Sequence, residues 1–232
     1  MSGTLSPPPS SPAPPPEPPE GVTRAAEEAS FYHEAALNAA WTGVRLAIGG
    51  LSFGFGCFVF AYFYLRSLNS HGMWHPAGFK GPQPWAGALI MALVVVSALL
   101  QYLGLTRIKG GHKRPWQLAA LAALALGLAA VGLQVWELLN LRFQPGSAGF
   151  ASVFTGATPV FLIIVLGALI WLETLIMRAR AVPAISFVEQ PPTYAEAFAV
   201  QRFQAGLSAF TVLWNYLAVI AIVFWVLFYV TA

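Results

Sequence analysis

The sequence predicts an all-α membrane protein, a bundle of five transmembrane helices, and three observations predict it. The chain is 57% hydrophobic and 9% charged, against roughly 25% charged residues in an ordinary soluble domain, so water is not the solvent for most of it. Five apolar stretches, at about 45–66, 84–106, 115–139, 153–177 and 206–230, each reach the roughly 20 residues that cross a bilayer core as a helix. None shows the period-2 alternation of a barrel strand. Backbone amides in lipid need partners within their own segment, which leaves helices.

In chain order, residues 1–22 hold nine of the eighteen prolines and almost no bulky apolar side chain. Such a tail lacks the surface to offset ordering entropy and is expected to be disordered. No apolar run follows a basic start and the first arginine is Arg24, so neither a secretory signal peptide nor a mitochondrial presequence is expected. Residues 23–44 are helix-compatible, with Phe31, Tyr32 and Leu37 for an interfacial face, and are expected to lie at the cytoplasmic surface. Residues 45–232 then form the five-helix domain.

Lysine and arginine positions orient the spans. Arg24, Arg45, Arg107, Lys109, Lys113, Arg114, Arg178, Arg180 and Arg202 fall on one side, and Arg66, Lys80 and Arg142 on the other. The positive-inside rule therefore expects the N-terminus in the cytoplasm and the C-terminus outside. Arg45 and Arg66 bracket the first span with no charge between them, and are read as anchors that snorkel to opposite interfaces. The net charge of +3 reflects this asymmetry and carries no nucleic-acid footprint. Gly50 and Gly54 in the first span, and Ala119, Ala123 and Gly127 in the third, are small residues at four-residue spacing. Such stripes let helix backbones approach, which matters where lipid offers no hydrophobic drive for association. Gly50 and Gly54 are expected to form a packing face, with Phe53, Phe55, Phe58 and Phe60 around it.

Redox and metal chemistry lack their ligands. His33, His71, His75 and His112 all fall outside the spans, and the single cysteine, Cys57, lies within one. Haem in a bundle needs axial histidine or methionine from the helices, and a soft copper site needs cysteine with histidine nearby. Cys57 is expected to be a small buried hydrophobe. His71 and His75 are four apart, but Gly72 and Pro76 spoil a helix there, so a polar external turn with Trp74 at the interface is expected. Two ionisable groups lie within the spans and are functional candidates by default. Glu173, one turn from Arg178 and Arg180, is expected to pair there or with lipid ammonium. Glu137, near the outer end of the third span, either reaches the headgroups or shares a polar site with Gln134, three residues before it on the same face.

RLAIGGLSFGFGCFVFAYFYLRS, then SALLQYLG, the basic turn RIKGGHKRPW, LGLAAVGLQVWELLN, FTGATPVF and finally VLWNYLAVIAIVFWVLFYV follow one another over residues 41–232. In order and spacing they resemble the last five helices of subunit III of the haem-copper respiratory oxidases, in a divergent five-helix bacterial form. Arg45, the AYFYLR run, Gln134 with Glu137, Thr155–Gly156 and Trp214 anchor the likeness. The chain departs from the family where a mid-helix carboxylate is replaced by apolar residues around Phe55, where a His-Gly-x-His pattern becomes Thr158, Pro159 and Phe161, and where a Trp-His pair becomes Trp214–Asn215. An acidic residue shortly after that pair becomes Ala218.

The resemblance implies a non-catalytic subunit of a terminal oxidase, such as a cytochrome c oxidase, in the bacterial inner membrane. Its implied partners are the catalytic subunit that holds haem and copper, the copper-bearing or donor-docking subunit, and phospholipids, with no cofactor in this chain. Arg45, Gly50, Gly54, Gln134, Glu137, Glu173 and Trp214 are the residues expected at lipid or subunit contacts. An accessory subunit of a quinol oxidase or nitric oxide reductase would use the same scaffold. A small transporter would want a broken helix and polar groups at midplane.

Overall fold

A computed structural model describes residues 20–69, 72–181 and 194–231, with side chains given for 28, 30–69, 72–180 and 198–231. Among them there are five long helices and no strand: α1 Glu20–Ser67, α2 Pro84–Lys109, α3 Lys113–Leu139, α4 Gly149–Ala181 and α5 Tyr194–Trp225, the last continued by a π-helical turn, Val226–Val230. Each is long and apolar enough to cross a membrane. All five expected spans are present as helices. The proline-rich tail up to residue 19, and His71, lie outside the described residues.

The helix ends follow local chemistry. Pro84 opens α2, where its missing N–H is no loss. Between α2 and α3 only Gly110, Gly111 and His112 intervene, and Gly111 turns the chain at φ +83, a conformation that side chains disfavour. Arg107 and Lys109 close α2, and Arg178 and Arg180 close α4, against the negative ends of their helix dipoles.

The chain divides into two units, Met1–Ala36 and Leu37–Ala232. In the described part of the first, Phe31 and Tyr32 are exposed and meet edge to face at 6.0 Å. In the second, α2, α3, α4 and α5 close a ring in which α2 neighbours α3 and α5, and α4 neighbours α3 and α5.

Buried positions repeat every three and four residues. In α3 they are Trp116, Ala120, Ala123, Gly127, Ala130, Gln134 and Glu137, and along α5 into the π turn the same spacing runs through Leu207, Phe210, Trp214, Leu217, Ala221, Phe224 and Phe228, with further buried residues beside it. This seam of period 3.5 is the packing of a left-handed bundle. The small residues of α3 set its depth. The Leu169 side chain of α4 occupies the space that a Cβ on Gly127 would need.

From Leu37 onward, α1 lies against α4 and α5 through its own seam, Val44, Ile48, Leu51, Phe55, Phe58, Tyr62 and Leu65. Phe55 packs edge-on to Phe224 at 5.4 Å and tilted to Phe161 at 6.0 Å. Trp74, in the loop expected to be a polar external turn, is buried within the protein. It fills the space between the end of α1 and the start of α4, edge-on to Tyr62 at 4.9 Å and to Phe150 at 5.8 Å. Its loop is held there by the Trp74 N–H donating to Asn69 and the Gly149 N–H donating to the Met73 carbonyl.

Candidate functional site

The polar side chains of the interior converge on α5. At the end of α3, Glu137 is 2% exposed and Gln134 is buried beside it. The Gln134 amide donates to one Glu137 carboxylate oxygen at 3.1 Å. The Tyr229 hydroxyl stands 2.8 and 2.7 Å from the two oxygens and, with a single hydrogen, donates to both in a bifurcated bond. A buried carboxylate is costly unless hydrogen-bonded, and two neutral donors answer it here.

Two local features bring Tyr229 to it. The π turn, closed by the Thr231 N–H donating to the Val226 carbonyl at 2.9 Å, widens the helix so that Leu227, Phe228 and Tyr229 all turn inward. In α2, Gly87 clears the way, because a Cβ there would overlap the Tyr229 ring.

A second polar link crosses the middle of the ring. The Trp214 indole N–H donates to the Ser97 hydroxyl at 3.1 Å, and Ser97 donates to the Ala123 carbonyl at 2.7 Å. One chain of bonds thus joins α5, α2 and α3. One turn further along α2, Gln101 is fully buried, and neither end of its amide has a protein partner. At the other end of α1, Arg66 donates to the Tyr62 hydroxyl at 3.2 Å and to the Thr231 carbonyl at 2.6 Å, while Tyr62 and Thr231 share a bond of 3.0 Å.

Of the residues singled out in the sequence, Gln134 and Glu137 are brought together and Trp214 is placed in a separate link. Of the two positions expected for Glu137, the structure has the polar site shared with Gln134. Arg45 and Glu173 are exposed. Gly50 and Gly54 are exposed as well, with none of the described residues within 4 Å of where a Cβ would stand. They lie on the side of α1 away from its seam, with Phe53 78% and Phe60 68% exposed alongside. Cys57, expected to be buried, is exposed on that same side. Helical phase decides this, since it falls two residues past Phe55, which faces inward.

Sequence reasoning missed Tyr229 and Ser97. The signal available was the need of a buried carboxylate and a buried indole for partners. Among the described residues no group of three or more His, Cys, Asp or Glu gathers at metal-binding distance. Compared with known proteins, the chain matches no family model and no curated relative.

Proposed function

We propose that this chain is a non-catalytic, multi-pass subunit of an aerobic terminal oxidase in a bacterial cytoplasmic membrane, with its N-terminus in the cytoplasm, supporting a haem-copper catalytic partner and binding lipid. The observation that carries the reading is the use made of Gln134, Glu137 and Trp214. Among these anchors of the family resemblance, Glu137, steadied by Gln134, and Trp214 link α3 and α2 to α5 and its π turn, as a retained scaffold requires. The replaced positions support it from the other side. Phe55, Phe161 and Ala218 are packed into the apolar core, and the Thr158 hydroxyl is satisfied by the Phe154 carbonyl within its own helix, so they have no proton-carrying group to contribute. The open face of α1, small at Gly50 and Gly54, is shaped for a helix of another chain.

The test is purification in mild detergent through a tag on this chain, with an optical spectrum and mass identification of what accompanies it. Haem absorbance together with a multi-helix catalytic partner is expected. A chain that purifies alone from membranes respiring on oxygen would end the proposal.

A further inference from the structure

Beside Glu137, where α2 begins and α3 ends, lies a cavity of about 260 Å3 whose lining includes Lys80, Trp85, Trp136, Asn140 and Arg142. It falls below the roughly 300–1,000 Å3 of pockets for drug-sized molecules, which suits a headgroup and not a whole amphiphile. Its charge is unusual for its place. That end of the helices has only Arg66, Lys80 and Arg142 as lysine or arginine. Arg66 is committed to Tyr62 and Thr231, and the other two both line this one cavity.

Among the described residues neither cation is in an ion pair with the one acid in the lining, Glu137, whose oxygens accept from Tyr229 and Gln134. Arg142 has a structural reason for its position, since a cation just beyond the end of α3 opposes the helix dipole. Lys80 has none. It precedes α2, whose first turn holds no acidic residue and whose dipole is positive at that end, so helix and lysine draw the same partner, an anion.

The walls give the depth. Trp85 of α2 and Trp136 of α3 meet at 5.6 Å, both partly exposed, with the Trp85 indole N–H donating to Gln83 at 2.7 Å. Amphipathic rings of this kind sit at headgroup level. Leu89, one turn deeper along α2, and Val135, next to Trp136 in α3, are exposed apolar residues against which an acyl chain can lie.

We infer that the cavity between Lys80 and Arg142 binds the phosphate of an anionic phospholipid headgroup, with the two cations as its ligands and the tryptophan pair as its wall. Two charge-assisted hydrogen bonds, one of them from a guanidinium able to engage two phosphate oxygens, hold the group. The inference deepens the lipid-binding part of the proposed function and requires no oxidase partner, so each can fail without the other.

The full chain, reconstituted in phosphatidylcholine bilayers doped with spin-labelled phosphatidylglycerol, is the test. Replacing both exposed cations together, Lys80→Gln with Arg142→Gln, is expected to lower the affinity for phosphatidylglycerol about tenfold, the loss that two such bonds imply. Arg107→Gln with Lys109→Gln removes the same charge from the far end of α2 and should leave it unchanged. The charge-conserving pair Lys80→Arg and Arg142→Lys guards against misfolding and should retain binding. Equal losses at both ends, or none at the cavity, would overturn the site. Saturable competition by inorganic phosphate would overturn the lipid as its source.

Discussion

α1 and α5 carry the same pattern of inward positions and are held by different means. α5 closes the ring with two polar attachments, Trp214 to Ser97 and Tyr229 to Glu137, set among close-packed small residues. The α1 seam interlocks by bulk, through Phe55 and Phe58, with hydrogen bonds from Ser52 to Tyr216 and, at its end, from Tyr62 and Arg66 to Thr231. In lipid, apolar area by itself does not drive helices together. Directional bonds and close approach distinguish the inside of α5 from its outside. Along α1 the outward face, with Gly50, Gly54, Phe53 and Phe60, is apolar and holds small residues that the inward seam lacks, so another helix can approach it closely.

The sharpest way to break this contrast is at Glu137. Glu137→Ala leaves the Tyr229 hydroxyl and the Gln134 amide without their acceptor, at about 1–3 kcal/mol per buried group. Thermal unfolding in detergent should show a loss of about 2–4 kcal/mol, with lower lipid retention or subunit yield. A variant as stable as the parent would reduce the cluster to coincidence.

Gly87→Leu tests the same bond without touching it. The new side chain displaces the Tyr229 ring, and overpacking of this kind costs about 1–3 kcal/mol. Combined with Glu137→Ala it should add little, because both act on one contact.

On the other helix, Gly54→Leu should change the stability of the isolated chain by no more than about 0.5 kcal/mol, yet lower the yield of any partner that copurifies. Equal partner yield would mean that the open face of α1 meets only lipid.

The smallest effect is expected from pH. His75 lies in the loop between α1 and α2, stacked on Phe79 at 5.1 Å. Partial burial, and then the nearby Arg66 guanidinium, lower its pKa from the ordinary 6.5. A group depressed on folding binds its proton more readily when unfolded, so stability is lost as pH falls through the interval just below 6.5. Solvent exposure keeps the effect small. Melting compared at about pH 8 and about pH 5 should show a slope that His75→Asn removes.

The spans and their class were legible because apolar length is a one-dimensional property. Facing was harder to read. A helix that is apolar all round has no amphipathic phase, so Cys57 was misjudged, and which way Gly50 and Gly54 faced could not be told from their spacing. In α3 the phase was readable, since Ala123, Gly127, Gln134 and Glu137 are small or polar and lie on one seam. Tyr229, the partner of Glu137, was not, because it lies 92 residues away and reaches its place through a π turn that no residue pattern announces. The cavity was hidden for a similar reason, as Lys80 and Arg142 line one space only when two loops are folded together.

The position of α5 as the last helix of the five has a consequence during synthesis. Ser97, Gln134 and Glu137 enter the membrane with α2 and α3, before Trp214 and Tyr229 have been translated. Until α5 arrives, a half-made chain holds within the bilayer a carboxylate that lacks its tyrosine donor and is answered by Gln134 alone, and an ionisable group left so is costly there. Arrival of α5 both completes the ring and supplies those donors.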